Sequence, residues 1–480
     1  MNRDQIPMKV IAILTVVLLL SVSVVGYLVL RDDDDNEDEG PGEGAVDFPL
    51  ENIQVQGSPQ NTNELSIAIN PLDPLNIVVG ANDYSTPNND AWCGYYTSLD
   101  GGETYEIGLL PGFNGDSDVS PLTGYSGTGD PVLGFDRSGN LYYAGIAFTR
   151  TMAGRSAIFV AKSTDGGISW PSENIRIVAQ GDGISTFHDK EWLCVDEDTG
   201  YVYIAWASFH LLTGATILFS RSIDGGNVWS PVWEIVSDLP GGQFDNQGTF
   251  LATDSMGTIH LVWIDFSQNQ IQYVYSADNG LSFASPRSIA SVTPIPYTLN
   301  NNTYRTPTLP QLAIDPGEGR YKDSIYVTWN EDRGSDADIL LIHSRDSGAT
   351  WSEPVRVNQD EEGNGKDQFF HGLSVAPGGE VSLHFYDRRD DPDNTMLNIY
   401  YAISRDGGQT FKDDRLTDTN FTGEAGGGSW LGQQTGGDAF IGDYHASASL
   451  GDKVYFTWCD TRNGEPDDRN SDVYLAYVDL

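Results

Sequence analysis

Ser344-Arg345-Asp346-Ser347-Gly348-Ala349-Thr350-Trp351 decides how this chain is read, because its pattern, Ser-x-Asp-x-Gly-x-x-aromatic, occurs six times. The other copies occupy residues 98–105, 163–170, 222–229, 276–283 and 404–411. Each follows an apolar run such as Ile339-Leu340-Leu341-Ile342-His343 and precedes a shorter one such as Pro354-Val355-Arg356-Val357. The pattern therefore reads as the turn of a β-hairpin. The carboxylates of Asp100, Asp165, Asp224, Asp278, Asp346 and Asp406 can accept backbone N–H bonds inside their turns, the glycine can take positive φ, and the aromatic can fold back over the strands. A residue set repeated this often serves architecture, and none of the six turns is read as a catalytic site.

A second signature runs beside the first: a short apolar strand, usually ending in Asp or Asn, at 66–70, 132–136, 193–196, 250–254, 312–315, 373–376 and 446–449. These seven starts recur about every 63 residues, the length of a four-stranded propeller blade with generous loops. Each unit reads as an inner strand, a strand such as those ending in Trp206, Trp263, Trp329 or Trp458, a strand leading into the turn, and an outer strand. The seventh unit stops after its third strand, 473–478, while 52–56 stands alone before the first unit. Pairing those two segments closes a ring and removes both open sheet edges. The expectation is an all-β, seven-bladed propeller, with six blades, one per turn motif, as the alternative.

Bulk properties narrow the setting. The 480 residues carry 26 Lys and Arg against 69 Asp and Glu, a net charge of −43. Such a surface repels nucleic acid and anionic lipid and argues against a phosphate-binding role. Residues 10–30 are 21 residues without a charge, long enough to cross a bilayer and longer than the apolar region of a cleaved signal peptide. Lys9 precedes them and an acidic run follows, which points the N-terminus to the cytoplasm. Residues 1–31 are thus expected to be a cytoplasmic stub and signal-anchor, 32–47 an acidic tether with nothing to bury, and 48–480 a monomeric propeller outside the cytoplasm. Asn301-Asn302-Thr303 and Asn420-Phe421-Thr422 match the N-glycosylation pattern. Three cysteines are too few for a disulfide framework. Cys194 reads as a buried side chain, and Cys93 with Cys459, at strand ends of neighbouring blades, are candidates for a bridge stapling the first blade to the last.

Taken together, the six turns resemble those of Asp-box (BNR-repeat) β-propellers of the sialidase-like superfamily, and the resemblance covers nearly everything after the tether. It implies function on the face opposite the turns. The segments entering the inner strands there carry Asp130, His188-Asp189-Lys190-Glu191, Asp245, Tyr304-Arg305, Asp367 with His371, and Asp443-Tyr444-His445. These converge on the channel mouth as binding candidates. Arg333, Arg389 and Arg462 follow the second strands of three successive blades in an acidic-x-Arg spacing. That repetition is better explained by ion pairs bracing loops than by a carboxylate-gripping trio. Tyr304-Arg305-Thr306-Pro307 resembles the sialidase (F/Y)-R-I-P motif, and Gly442-Asp443-Tyr444-His445 the stretch carrying the family's tyrosine nucleophile. The resemblance implies Arg305 as a carboxylate grip, Tyr444 as nucleophile and Asp336 or Asp338 as acid/base. Thr306 departs from the motif, which opens the fifth unit here instead of the first, and no glutamate is evident to polarise Tyr444.

No cofactor is required by the sequence. A metal held by His188, His371 and His445 with Asp189, Asp367 and Asp443, or calcium at loop carboxylates such as Asp391 and Asp393, is compatible with composition. The function expected is a non-catalytic module binding an extracellular glycan or protein. An exo-acting sialidase or related glycosidase is the alternative.

Overall fold

Period-two alternation within each unit folds as antiparallel sheet. In a computed structural model, which describes residues 51–56, 61–88, 90–150, 154–182, 185–210, 214–237, 245–425, 439–464 and 470–480, the strands form seven separate sheets. The first comprises Thr62–Asn70, Asp73–Asp83, Trp92–Ser98 and Glu106–Leu109 in sequence order, and the next five repeat that order. In the seventh, Ala446–Leu450, Lys453–Asp460 and Asp472–Asp479 are joined by Ile53–Gln56, whose Ile53 lies opposite Leu475 and Gln54 opposite Tyr474. The expected anchor and tether lie outside the described residues, among which no helix is long and apolar enough to cross a membrane.

Seven apolar cores accompany the seven sheets, each built from two consecutive sheets. Val132, Tyr142 and Ile158 of the second blade meet Leu193, Ile204 and Trp206 of the third. Val55, Tyr455, Val473 and Leu475 of the seventh meet Leu65, Ile67 and Val79 of the first. As many seams as sheets, the last joining seventh to first, define a closed ring of seven blades and exclude six. A clasp reinforces that seam: Thr62 N donates to Ser471 O at 3.0 Å, and Ser471 Oγ to Thr62 O at 2.7 Å. The second-strand tryptophans are fully buried with their indole N–H groups satisfied, as Trp263 Nε1 is by Asn246 Oδ1 at 2.9 Å and Trp458 Nε1 by Asp460 Oδ2 at 2.7 Å.

The repeated turns work as read, with one part the pattern alone did not reveal. In the fifth blade Asp346 Oδ1 accepts Thr350 N at 2.8 Å, while the buried Ser344 hydroxyl donates to Asp346 Oδ1 at 2.8 Å and accepts Gly348 N at 2.9 Å. The serine is the buried hub and the aspartate the exposed arm. Each turn also leans on the preceding blade. Gly348 has φ +79°, and a Cβ there would lie 2.2 Å from Tyr273 Oη of the fourth blade, so glycine is required twice over. Trp351 packs edge-on against that same Tyr273 ring, with centroids 5.3 Å apart. Thr97 Oγ1 of the first blade likewise donates to Gly167 O in the turn of the second, at 2.7 Å.

Ser344→Ala should therefore cost about 1 kcal/mol, the usual loss for a satisfied buried hydroxyl, in urea denaturation. The aspartates add an acid limb. Bonds from the Ser282 hydroxyl and backbone pull Asp278 down to about 2. A carboxyl depressed in the fold stabilises it fully above its unfolded value and loses that contribution as pH falls toward the folded one. Asp278→Asn should thus lower the melting temperature at pH 5, and the gap to wild type should close toward pH 2. A constant gap would count against the bonded carboxylate.

The inner strands hold the principal surprise. Six of the seven begin upstream of the apolar runs, and five carry a β-bulge at one shared position, between Asn63 and Ser66, Gly129 and Val132, Asp189 and Trp192, Gln247 and Phe250, and Phe369 and Gly372. The first bulged residue is left-handed each time: Glu64, Asp130, Lys190, Gly248 and Phe370 at φ 53°, 57°, 51°, 64° and 49°. Three of the residue sets expected in entering loops are strand, Asp130 inside Gly127–Phe135, His188 to Glu191 inside Thr186–Val195 and His371 inside Gln368–Val375, whereas Asp245, Tyr304-Arg305, Asp367 and Asp443 to His445 precede their strands as expected. Except at Gly248, the bulge re-aims one side chain in each of these blades.

Candidate functional site at the channel mouth

In the first three blades that re-aimed side chain is charged. Lys190 Nζ of the third lies 2.7 Å from Glu64 Oε1 of the first, 3.4 Å from Asp130 Oδ2 of the second and 2.8 Å from Asp443 Oδ2 at the start of the seventh. Blades this far apart in the ring meet only across its axis, so the lysine plugs the channel. Asp443 is held from its other side by Arg305, which precedes the fifth blade and donates through Nε and Nη2 to the two carboxylate oxygens at 2.6 Å each. Asn82 orders the acidic side, its Nδ2 donating to Glu64 Oε2 at 2.6 Å and its Oδ1 accepting Asp130 N at 2.9 Å. The glutamate and both aspartates are buried, the lysine keeps a tenth of its side chain in solvent, and Arg305 keeps a third.

Burial and charge divide these acids into two states. Burial, reinforced by Asp130, pushes Glu64 up to about 8, so it carries a proton at neutral pH. Burial would raise Asp443 too, but Arg305 and Lys190 outweigh it and hold that carboxyl well below its usual range. Glu191 is buried with neither oxygen hydrogen-bonded within the described protein, and burial pushes it far up. The Tyr444 hydroxyl is also buried without a hydrogen-bond partner. Burial, then the charges of Asp130, Glu64 and Glu191, drive it well above an ordinary phenol. The Tyr444 ring lies edge-on to Trp192, 6.2 Å between centroids, with Lys190 Nζ 5.3 Å from its own. The cavity among Lys190, Glu191, Trp192, His371, Asp443 and Tyr444 measures about 30 Å³, room for a water or two and not for a sugar ring.

Arg305, Lys190, Glu191, Asp189, Asp443 and Tyr444 are thus brought together, and other candidates are not. Asp336 accepts Ser335 Oγ at 3.0 Å and Gly365 N at 2.9 Å and lines a separate cleft with Glu331, Arg333 and Glu362, so it is a loop brace and no partner of Tyr444. Asp338 is bound by Arg356 Nε at 2.8 Å and Asn358 Nδ2 at 2.7 Å. The three acidic-x-Arg arginines brace their own loops: Arg333 lies 3.3 Å from Glu331, Arg389 2.7 Å from Asp387 and Arg462 2.8 Å from Asp460. Asp367 ties Ala337 N, at 3.0 Å, to Asn394 Nδ2, at 2.7 Å, and Asp245 O accepts Phe266 N at 2.9 Å.

The metal and disulfide expectations are corrected. His188 accepts Trp206 Nε1 at 3.1 Å and is lowered by burial to about 4, His445 sits with His384 between the sixth and seventh blades, and His371 lines the channel-mouth cavity with the Thr328 backbone of the fifth blade against it. Asp391 accepts Thr395 N at 2.7 Å and Met396 N at 2.8 Å within its own turn. Among the described residues no group of three or more His, Cys, Asp or Glu is placed to hold a metal ion. Cys93, Cys194 and Cys459 are free. Each member of the expected pair faces the next blade round the ring: Cys459 Sγ lies 3.3 Å from Thr62 O of the first blade, and Cys93 Sγ 3.7 Å from Gly129 O of the second, so they point the same way round and never meet.

Glu64 and Asn82 were missed. Their signal is positional, since Glu64, Asp130 and Tyr444 each stand two residues before the apolar run of their unit resumes.

No family model matches the chain, and no curated protein is similar to it in sequence. Solved structures similar to it include a Hadza microbial sialidase, at 17% identity over 84% of this chain and 73% of that one with a TM-score of 0.44. A protein of unknown function from Dyadobacter fermentans aligns at 14% identity over 90% and 99%, TM-score 0.48, and the Penicillium chrysogenum α-L-arabinanase at 16% over 71% and 94%, TM-score 0.47.

Proposed function

We propose that this protein is a non-catalytic, sialidase-like propeller, displayed outside the cytoplasm on an N-terminal membrane anchor, that binds a glycan or protein ligand. The observation carrying this reading is the bidentate Arg305–Asp443 pair. A carboxylate-gripping arginine needs a free fork, and here both prongs hold the protein's own carboxylate. The Tyr444 hydroxyl has no base within hydrogen-bond reach among the described residues, and a phenol raised by burial is a poor nucleophile. The glycosidase alternative keeps one point in its favour. Asp443 brings Arg305 beside Tyr444, and buried carboxyls with separated protonation states are the raw material of acid/base chemistry.

Assay of the full chain on a fluorogenic sialoside, beside Tyr444→Phe, separates the two readings. No turnover by either protein is expected, together with retention of the full chain on a glycan or cell-surface protein array. Turnover by wild type that vanishes in Tyr444→Phe would establish the glycosidase instead.

A further inference from the structure

Asp443, Tyr444 and His445 are consecutive, yet their side chains enter different surroundings. Asp443 joins the ionic plug, Tyr444 abuts Trp192, and His445 is sealed in the seam between the sixth and seventh blades. There its ring stacks on His384, 5.4 Å between centroids and 9° from parallel, and meets the edge of Tyr386 at 4.4 Å. His371 lines the adjoining channel-mouth cavity, close enough for its charge to act on His445 and for that of His384 to act on it. All three imidazoles are buried, and neither ring nitrogen of His371 or His445 has a hydrogen-bond partner in the described protein. Only His384 Nε2 is bonded, to Thr457 O at 2.9 Å. Gln311 Nε2 joins the two strand starts by donating to His371 O at 2.8 Å and His445 O at 2.9 Å.

We propose that Asp443-Tyr444-His445 is an acid-released latch on the channel mouth: charging the histidine cluster expels His445 from the seam and draws Asp443 away from Arg305. Against the three imidazoles lie carbonyl acceptors, Thr457 O at His384 and the Thr328 backbone at His371, but among the described residues no carboxylate acts on any of them to balance a buried imidazolium. The groups against the cluster are Tyr386, whose hydroxyl donates to Cys459 O at 2.6 Å, Cys459 itself, and the apolar Phe370 and Phe456. Two charged rings stacked at this spacing would also repel in a low dielectric.

On the other side of the latch the facing groups are Lys190, Arg305, Glu64, Asp130, Asp189 and Glu191, the last raised far up by burial. Asp443 stays ionised and Glu64 protonated through mild acid. Asp130 and Asp189, raised by burial, shed charge on acidification and loosen the hold on Lys190, which acts in the same direction. Burial lowers His384 to about 4 and His371 to about 3. A histidine depressed in the fold stabilises the closed form fully above its ordinary value near 6.5 and loses that as pH falls toward the folded value. Opening is therefore set for the window below about pH 6.5, before the ring itself yields.

Hydrogen exchange of the full chain, corrected for intrinsic rates, tests this directly. Peptides spanning 439–450 should exchange at least tenfold faster at pH 4.5 than at pH 7, reversibly, while the third strand of the second blade, Ser156–Ser163, keeps its protection. His384→Phe with His371→Phe should move that opening to lower pH. Loss of protection in both regions together would overturn the latch, as would a wild-type segment indifferent to pH. So would opening at an unchanged pH in the double variant. The wild-type comparison stands alone if that variant does not fold.

Discussion

Lys190→Met is expected to lower the stability of the propeller by about 3–5 kcal/mol at neutral pH, the range for stripping one partner from a buried ion pair. Methionine keeps most of the stem and demands the same left-handed backbone, φ 51°, so the change isolates the charge. What remains is Asp443 with Arg305 alone, and Asp130 and Glu64 with no cation in contact. The loss should depend on pH with a definite sign. Glu64 is raised in the fold to about 8, so its contribution is full below its unfolded value near 4.5 and fades as pH rises through 8. Without the lysine both neighbouring acids are still harder to ionise, and the gap between variant and wild type should widen from pH 5 to pH 8. Urea denaturation at both pH values reads this. A variant as stable as wild type at pH 8 would show that the plug bears no electrostatic load.

The same residue shows where the sequence could be read and where it could not. Turn chemistry is local: the glycine and aromatic of each repeated turn act within eight residues, so strand, turn and blade count follow from pattern. The acidic-x-Arg pairs were legible for the same reason, since Arg389 and Asp387 are two residues apart. A bulge breaks the alternation that identifies a strand, so Glu64, Asp130 and Lys190 look like loop residues until register is known. Partners separated by most of the chain, such as Lys190 with Asp443 or Thr62 with Ser471, exist only because the ring closes. Arg305 and Tyr444 were placed together by motif, but motif could not say that Asp443 would occupy the arginine's fork. Cys93 and Cys459 sit at matching heights in neighbouring blades, and matching height says nothing of which way round the ring a side chain faces.

The second large effect concerns closure. Deleting residues 52–56 from the full chain should cost roughly 4 kcal/mol and make the ring prone to aggregate. Val55 is buried in the seam between the seventh and first blades and Ile53 partly so, and such side chains contribute about 1.5–3 kcal/mol each when fully covered. The polar ties go as well: Gln54 Nε2 donates to Asp472 Oδ2 at 2.9 Å, and Asn52 Nδ2 to Leu416 O at 3.0 Å. Loss of a single buried turn hydroxyl, at about 1 kcal/mol, is several times smaller. The exposed edge matters more than the sum, because Asp472–Asp479 would present unpaired N–H and C=O groups along an eight-residue strand. An edge that lacks its own partner accepts one in trans. A synthetic peptide of residues 50–58 should therefore restore the melting temperature and suppress light scattering in proportion to its concentration, whereas the same peptide with proline at positions 54 and 55 should not. Full stability of the deletion protein without peptide would mean that the seventh blade closes on three strands, and the ring would owe nothing to its first segment.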